Sequence, residues 1–440
     1  MKEDWIECEV GDLLKLKNGY AFKSTNYKSE GIPVLRIGDI QDWNVDVANA
    51  KRTAENEEYD SHIVYKGDIL IAMSGATTGK FGIYNSEEKA YQNQRVGNLI
   101  PHSEIFTNKK YIYFLLYSLK RDIEIGAYGG AQPNISSTKI EALKTKLFPL
   151  PTQKAIVKKI EELFSSLDSG IVDLKKAQDQ LVIYRQAVLK KAFEGGFTKE
   201  WRKKNKIKFD WKEVILNEIC EHITDGDHQA PPKADDGIPF ITISNINKST
   251  KVVDFSNTYF VGIDYYLRLN EKRTPKKGDV LYTVTGSFGI PVLVNFEKQF
   301  CFQRHIGLLR PNVNLINQKW LFLVLQSQSV YKQAYEKATG TAQKTVALST
   351  LRNITVLLCS LKEQHQIVQE IESRLSVCDK VEESITESLE KAQALRQSIL
   401  KKAFEGKLLS KAEIAKCKAD KDYEPASVLL EKIKAEKKKK

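Results

Sequence analysis

The residues best suited to binding chemistry lie in polar or glycine-rich segments that recur in the two halves of the chain. Four pairs of segments share this character: residues 18–25 and 224–229, 74–80 and 285–288, 94–95 and 303–305, and 128–134 and 339–344. Arginine pairs with guanine edges, asparagine and glutamine pair with adenine, and lysine binds phosphate. Nucleic-acid contact is therefore one interpretation of these segments. The alternative, that a repeated glycine-rich turn is purely structural, stays open.

Shared and unshared residues in these segments favour different tasks. Aligning residues 94–95 with 303–304 pairs Arg95 with Arg304, and a shared residue suits a shared task such as phosphate binding. Base reading is instead expected where the halves differ. Such unshared candidates are Lys23, Lys80, Asp227, His228 and Lys344. The full set of predicted DNA-binding residues is Lys23, Ser24, Lys80, Arg95, Gln132, Asn134, Asp227, His228, Ser287, Arg304, Gln343 and Lys344.

No arrangement of residues in the sequence indicates catalysis. The amino-methyltransferase motif Asp/Asn-Pro-Pro-Tyr/Phe is absent, and so is a glycine-rich cofactor loop of methyltransferase type. Residues 75–81 resemble a phosphate-binding loop, but the glycines are one residue too close and no Ser or Thr follows Lys80. The histidines are scattered, and no two cysteines form a CxxC pair. We therefore predict no catalytic residue, no metal and no cofactor.

Composition and charge narrow the class of protein. Hydrophobic residues make up 42% of the 440-residue chain and charged residues 28%, which is ordinary for a globular protein. The net charge of +12 favours nucleic acid or an acidic surface as a partner without requiring either. No stretch approaches the roughly 20 apolar residues of a membrane span, and no apolar signal region opens the chain. The expectation is a cytoplasmic protein with reduced cysteines and no membrane contact.

An internal repeat positions the polar segments. Residues 186–195 read QAVLKKAFEG, and residues 397–406 read QSILKKAFEG, at an offset of 211. The same offset relates Gln153 to Gln364 and the Lys-Gly-Asp triplet at 66–68 to that at 277–279, which reads as a simple turn. Ordered matches over two whole halves do not arise by chance. The chain therefore contains a duplicated unit of about half its length.

Each repeat has two parts with different periodicity. Residues 5–150 and 211–360 contain short strand-like runs bounded by turn residues, with short helices in the same frame, which indicates a mixed α+β domain. Residues 152–194 and 362–405 contain no proline, and their apolar residues recur in steps of three and four. This spacing is typical of long amphipathic helices with a coiled-coil-like seam. Because such helices are unstable alone, we predict that the two pack as an antiparallel, pseudo-two-fold pair.

The combination of these features resembles the specificity subunit of type I restriction–modification systems. The resemblance rests on the two helices ending in Lys-Lys-Ala-Phe-Glu-Gly, on QKAIV at 153–157 and QHQIV at 364–368, and on EPASVLL at 424–430. It covers nearly the whole chain, and the helical repeats are its specific part. Some members of the family carry a conserved segment before the first recognition domain. Here the domain begins near Trp5, so we expect any partner contact made by such a segment to come from elsewhere.

The resemblance implies an organisation and a set of partners. Each α+β part would be a target recognition domain for half of a split DNA sequence, and the helices would be spacers that bind two methyltransferase subunits, with restriction subunits joining them. The subunit itself would be non-catalytic. The expected divisions are recognition domains at 1–151 and 211–361, spacer helices at 152–196 and 362–406, a basic connector at 197–210 and a tail with a short helix at 407–440. The long helices alone also permit a coiled-coil adaptor that joins proteins and has no DNA role.

Overall fold

The computed structural model describes residues 4–127, 133–229, 231–341 and 343–439. Two long helices, α5 at Leu150–Phe193 and α12 at Leu361–Phe404, are its longest elements. The chain divides into two compact units: unit 1 comprises Met1–Asp173 and Ser388–Lys440, and unit 2 comprises Leu174–Glu387. Each unit contains one α+β domain and a part of both long helices. The repeat found in the sequence is therefore a repeat of structure.

The α+β domain of unit 1 combines short strands with short helices. Its strands are β1 Ile6–Glu9, β2 Leu14–Asn18, β3 Ile32–Leu35, β4 Ile40–Gln41, β5 Trp43–Val45, β6 Lys51–Thr53, β7 Ile63–Val64, β8 Ile69–Ala72, β9 Phe81–Ile83, β10 Ala90–Gln92, β11 Val96–Pro101 and β12 Lys144–Leu147. Its helices are α1 Val10–Leu13, α2 Lys109–Ser118, α3 Lys120–Ala127 and α4 Ser137–Glu141. The strands form one sheet in the order β2-β11-β8-β9-β5-β4, a second in the order β6-β3-β10-β7, and the antiparallel pair β1-β12.

Helix α2 links this domain to the long helices of unit 1. The side chain of Asn108 caps the helix by accepting a hydrogen bond from the Tyr111 N–H at 3.0 Å. The buried side chain of Gln153, on α5, accepts the Asn108 N–H at 3.0 Å. The apolar side of α2 then shares one core with Ile160 of α5 and Leu400 of α12. Gln153 is therefore shared between the halves because it holds the domain to the helix.

Unit 2 repeats this architecture with fewer strands among its described residues. The strands are β13 Lys212–Ile215, β14 Cys220–Asp225, β15 Ile238–Ile241, β16 Tyr259–Val261, β17 Val280–Thr283, β18 Pro291–Leu293, β19 Cys301–Phe302, β20 Ile306–Pro311 and β21 Thr355–Leu358. The helices are α6 Lys199–Lys204, α7 Leu216–Ile219, α8 Ile263–Arg268, α9 Gln318–Val324, α10 Gln328–Glu336 and α11 Leu348–Arg352. The sheets have the orders β14-β20-β17-β18, β16-β15-β19 and β13-β21. Gln364 accepts the Asn317 N–H at 2.7 Å, as Gln153 does in unit 1.

Matching ion pairs join the two long helices within each unit. In unit 1, Arg396 of α12 pairs with Asp168 of α5. In unit 2, Arg185 of α5 pairs with Asp379 of α12 at 2.7 Å. The residue on α5 has a higher number in the second pair than in the first, whereas the residue on α12 has a lower one, so the helices are antiparallel. The offset of 211 converts one ion pair into the other, so the same contact between the two long helices recurs in each unit.

Glycines end both long helices. Gly195 and Gly406 adopt φ values of +75° and +79°. The N–H groups of the residues that follow them donate to carbonyls five residues earlier, from Gly196 to Lys191 at 2.9 Å and from Lys407 to Lys402 at 2.7 Å. This is the Schellman arrangement, in which glycine accepts the left-handed conformation without a steric cost. The shared Glu-Gly ending is thus a helix stop.

Substituting these glycines is expected to lower stability by different amounts. Gly406→Ala should cost about 1–2 kcal/mol for the left-handed backbone, because the added methyl group meets Phe148 only at 3.5 Å. Gly195→Ala should cost more, because its methyl group would lie 2.7 Å from the Phe209 ring. Gly170→Ala is the control, since nothing lies within 4 Å of its added methyl group inside α5 and alanine favours a helix. Urea unfolding would contradict this account if all three variants matched the parent chain.

The connector after α5 is anchored by a buried ion pair in unit 2. Arg202 of α6 pairs with Glu363, and their side chains are only 10% and 2% exposed. Glu363 also accepts hydrogen bonds from the Thr198 hydroxyl at 2.7 Å and from the Trp211 indole at 3.1 Å. Three side chains therefore meet at the Glu363 carboxylate, which fixes the connector against the first turn of α12.

The tail after α12 folds onto unit 1. It contains helices α13 at Lys411–Lys418 and α14 at Ala426–Lys437. Leu429, Leu430 and Ile433 of α14 are buried in the core of unit 1. Lys437 of α14 donates to the Gly11 carbonyl at 2.6 Å, so the last turn of the helix also contacts the domain.

Candidate nucleic-acid interface

Three polar segments of unit 1 meet beside the end of strand β8. The Met73 N–H donates to the Arg95 carbonyl at 3.0 Å, and the Met73 carbonyl accepts the Ile135 N–H at 3.0 Å. Ser74 forms a β-bridge with Asn134. Together these segments border a mainly polar cleft of about 540 Å³. Its lining includes Asn18, Ser74, Gln94, Arg95, Asn134 and Ser136.

The same segments meet beside the end of strand β17 in unit 2. The Val284 N–H donates to the His305 carbonyl at 2.9 Å, and the Val284 carbonyl accepts the Val346 N–H at 2.8 Å. Thr285 forms a β-bridge with Thr345, and Asp227 forms one with Gln303. The hydrogen-bonding frame of the cleft is therefore common to both units, whereas the side chains it presents differ.

The turn between the last two strands of the frame corrects the sequence alignment. The Val96 N–H donates to Asn93 in unit 1, and the Ile306 N–H donates to Gln303 in unit 2. Both segments have two turn residues after this position, at 94–95 and 304–305. Structurally, Gln94 therefore corresponds to Arg304 and Arg95 to His305. The predicted pairing of Arg95 with Arg304 was wrong by one residue. The sequence alignment matched the two Gln-Arg dipeptides, but these dipeptides occupy different positions relative to the paired strands.

This correction changes the expected role of the turn residues. The turn presents an exposed Gln and an exposed Arg in unit 1, and an exposed Arg and a half-buried His in unit 2. Burial and the neighbouring Arg304 charge lower the pKa of His305 below its ordinary value of 6.5. His305 is then a neutral imidazole that can both donate and accept a hydrogen bond. Base-reading residues are expected where the two halves differ. Because the turn residues differ, this turn becomes a candidate for base reading and no longer one for phosphate binding.

The remaining predicted residues of unit 1 are distributed around its cleft. Arg95 and Asn134 line the cleft and are exposed. Lys80 is half-buried at the end of the turn that follows β8. Lys23 and Ser24 are exposed, but they follow Phe22, whose ring packs with Tyr20 and Tyr59, and they do not line the cleft. Gln132 lies outside the described residues.

In unit 2, Asp227 already has partners for both of its carboxylate oxygens. Its Oδ1 lies 2.5 Å from Arg273, and its Oδ2 accepts the Tyr265 hydroxyl at 2.6 Å. Burial, and next the bond to Asp227, raise the pKa of Tyr265. His228 is exposed and lies 3.3 Å from Asp225. In this arrangement Asp227 organises its neighbours, and His228 is the more accessible of these two predicted residues.

An aromatic group beside the shared frame in unit 2 was missed by the sequence reasoning. The Lys344 ammonium lies 3.5 Å from the centre of the Tyr335 ring, and Phe288 stacks on Tyr331 with ring centres 5.5 Å apart. Tyr331 and Tyr335 are four residues apart on α10, so they share one helix face. Ser287 is half-buried and Gln343 is exposed in the adjoining segments. That four-residue tyrosine spacing was the available sequence signal.

A hairpin orients each domain against the long helices of its own unit. Trp43, at the tip of the β4–β5 hairpin, has a φ of +77° and packs its ring 5.7 Å from Phe164 of α5. Lys251 takes φ +53° in the corresponding hairpin of unit 2. Its pKa is lowered by burial and then by the nearby Arg185 on α5. Non-glycine residues adopt such φ values rarely, so the tips are held by their contacts.

Other potential sites for chemistry are limited in the described residues. The six cysteines are free and buried, and burial raises the pKa of Cys8, Cys220, Cys301 and Cys359 to about 12, which makes those thiols poor nucleophiles. Within the described ranges, no group of three or more His, Cys, Asp or Glu could hold a metal ion. No described helix is both long and apolar enough to cross a membrane.

The fold defines a duplicated scaffold in which a common hydrogen-bonding frame carries different side chains in the two units. A family model described as the type I restriction modification DNA specificity domain matches residues 2–177 and again residues 208–391. The chain therefore belongs to the family of type I restriction–modification specificity subunits. The resemblance inferred from the helical repeats is confirmed, and so is the predicted mixed α/β architecture with two long helices.

Individual relatives match along almost the whole chain. The chain is 28% identical over 450 residues to the type I restriction enzyme EcoBI specificity subunit of Escherichia coli, covering 99% of this chain and 92% of that protein. It is 26% identical over 454 residues to the EcoKI specificity subunit of Escherichia coli strain K12, covering 99% and 96%. These alignments span both α+β domains and both long helices.

Solved structures share the fold. A chain in a structure of a type I R-M system superposes with a TM-score of 0.68 and 18% identity, covering 93% of this chain and 99% of that one. The HsdS subunit from Thermoanaerobacter tengcongensis superposes with a TM-score of 0.55 and 17% identity, covering 93% and 98%. At such identities the likeness concerns the fold alone.

Proposed function

We propose that this specificity subunit reads a two-part DNA sequence, one part with each α+β domain, and recruits two methyltransferase subunits together with restriction subunits. The observation that carries the proposal is the backbone frame that both units share. The turn beside this frame is Gln94-Arg95 in one unit and Arg304-His305 in the other. A common frame with different polar tips suits two domains that read different bases in equivalent ways.

Charge supports DNA as the ligand of these clefts. The chain carries a net charge of +12, and a basic balance promotes association with phosphate. Arg95 lines the cleft of unit 1, and Arg304 and Lys344 lie in the corresponding segments of unit 2. The DNA-binding set predicted from the sequence is retained as a proposal, with His305 and Gln94 added from the corrected register. The proposed divisions of the chain into recognition domains, spacers, connector and tail are also retained.

The proposed recruitment of two identical partners rests on exposed residues that the repeat preserves. Gln186 and Lys190 are exposed on α5, and their counterparts Gln397 and Lys401 are exposed on α12. Internal packing does not account for the identity of exposed side chains. They border grooves of about 790 Å³ in unit 2 and about 950 Å³ in unit 1. Two equivalent surfaces suit two copies of one protein.

Reversing the shared lysines should therefore remove partners one at a time. We expect Lys190→Glu and Lys401→Glu each to lower the affinity of one groove for its methyltransferase subunit at least about tenfold, since a like-charge contact costs several kcal/mol. Each variant should therefore keep one methyltransferase subunit bound. Lys154→Glu is the control, because Lys154 is exposed on the same helix but its counterpart is His365. Native mass spectrometry of the co-expressed complex measures the stoichiometry. Two bound copies in both variants would contradict the assignment.

We propose that the chain itself is non-catalytic and that its partners supply methyl transfer and cleavage. The sequence contains no methyltransferase motif, and the proposed clefts hold residues suited to hydrogen bonding. Nuclease footprinting of the reconstituted complex tests the proposed function. Two protected segments separated by a sequence-indifferent spacer are expected. One uninterrupted site would overturn the two-part target, and no protection at all would favour the protein adaptor.

A further inference from the structure

The tail helix α14 has one apolar side, which unit 1 buries. The buried residues of α14 are Ala426, Leu429, Leu430 and Ile433. Their spacing of three and four residues places them on one face of the helix. Leu429, Leu430 and Ile433 join the same core as Val10 and Leu13 of the neighbouring domain.

Lysines beside this apolar side attach α14 to the domain. The Lys434 ammonium lies 3.3 Å from the Asp12 carboxylate, and Lys437 donates to the Gly11 carbonyl at 2.6 Å. Lys432 lies 5.5 Å from the centre of the Phe106 ring. We name this surface of unit 1 the tail-covered face. It is formed by Cys8, Gly11, Asp12 and Phe106, with the buried Ser103 accepting the Phe106 N–H beside them.

Unit 2 has a counterpart of the tail-covered face with the same framework. Asp12 accepts the Glu9 N–H at 3.1 Å, and Glu218 accepts the Ile215 N–H at 3.1 Å, so α1 and α7 begin in the same way. Phe106 and Leu315 occupy equivalent positions, because each lies two residues before the asparagine that caps the next helix. We name the counterpart the uncovered face. It is formed by Val214, Asn217, Glu218, Val313 and Leu315.

The uncovered face is apolar, acidic and open. Val313 is 57% exposed and Leu315 is 43% exposed, and Asn217 and Glu218 are exposed as well. In unit 1, Gly11 at the position of Asn217 is buried, and Lys437 of the tail donates to its carbonyl. Within the described residues of unit 2, the connector passes from α6 to β13 without a helix like α14.

We propose that the uncovered face is a docking surface for an amphipathic helix of a partner protein, chemically similar to α14. Such a helix would carry branched aliphatic residues at α14-like spacing, which would cover Val313 and Leu315. A lysine beside them would pair with Glu218, as Lys434 pairs with Asp12 in unit 1. This inference goes beyond the proposed DNA reading and does not depend on it.

A partner protein fits the surface better than a second copy of this chain. The helix of suitable chemistry in this chain is α14, and its apolar side is already buried in unit 1. A tether within the same chain gives α14 an effective concentration of the order of millimolar at its own face. A second copy would therefore present no free α14 to the uncovered face.

A peptide of residues 424–439 is the probe for this surface. In the full-length chain, α14 occupies the tail-covered face, so the fluorescein-labelled peptide should bind one site, in unit 2. We expect the double variant Glu218→Lys, Leu315→Asp to weaken its affinity at least about tenfold. Ile105→Asp is the matched control, because Ile105 is an apolar residue of unit 1 that is 71% exposed and its substitution should leave the affinity unchanged.

Amide hydrogen exchange of the same mixture locates the peptide independently of the variants. Slower exchange at residues 214–219 and 312–316 supports the proposal. Absence of saturable binding, equal affinity for the double variant, or protection confined to residues 8–13 would overturn it. Sedimentation that showed a dimer of the chain, lost on Glu218→Lys, would assign the surface to a second copy and also overturn it.

Discussion

Replacing Arg304 by alanine is expected to relax recognition in one half of the DNA target and leave the other half unchanged. Arg304 is exposed in the turn between β19 and β20 of unit 2, and its counterpart in unit 1 is Gln94. Arginine that contacts guanine bidentately contributes about 1–3 kcal/mol of discrimination, roughly 5- to 150-fold. Competition binding of the assembled complex to targets randomised one base at a time measures this loss position by position.

A charge-matched control separates base reading from general attraction. Lys298→Ala also removes one positive charge, but at a site away from the turn. Lys298 follows Glu297, and Glu297 pairs with Lys277 near the start of β17, whereas Arg304 lies near its end. We expect Lys298→Ala to leave discrimination unchanged. If Arg304→Ala instead weakened all targets equally and reduced the salt dependence by about one unit of slope, Arg304 would be a phosphate contact.

Replacing Glu363 by alanine is expected to destabilise unit 2 by about 3–5 kcal/mol, because Arg202 would then be buried without its partner. Glu363 is 2% exposed and receives Arg202, Thr198 and Trp211. The loss should free the connector from the first turn of α12. Urea unfolding gives the free energy, and amide exchange of α6 shows whether the connector is the part released.

A double variant shows whether the buried charge is the cause. Arg202→Met with Glu363→Leu removes both charges and restores apolar volume, which often recovers stability. We expect it to be more stable than Glu363→Ala alone. A cost below about 1 kcal/mol for Glu363→Ala would mean that Arg202 finds solvent, contrary to the packing described.

The repeat and the helices were predictable because their signals are local or identical. The recurrence of apolar residues in steps of three and four predicted the starts of α5 and α12 to within two residues, and the Glu-Gly sequence marked the ends of both helices. Asp168 and Asp379, which form the matching ion pairs, are also related by the 211-residue offset in the sequence itself. Such features are readable in the sequence because they depend on the chain's own periodicity.

The cleft was only partly predictable because strand register depends on pairs that the sequence does not mark. Two matching letters suggested that Arg95 and Arg304 were equivalent, whereas hydrogen bonds from Met73 and Val284 show that Arg95 matches His305. The partners of Asp227 were likewise hidden, since Tyr265 and Arg273 lie 38 and 46 residues away in sequence. Long-range contacts of this kind decide which polar residues remain accessible.

Sequencing of DNA methylated by the complex tests the central claim most directly. The complex would be assembled from this chain and its methyltransferase partner, and modified bases would be mapped across a genome that lacks other methylation. The account predicts one motif made of two defined segments separated by a fixed number of unspecified bases, with the Arg304→Ala variant relaxing only one segment. A single continuous motif, or equal relaxation of both segments in the variant, would contradict it.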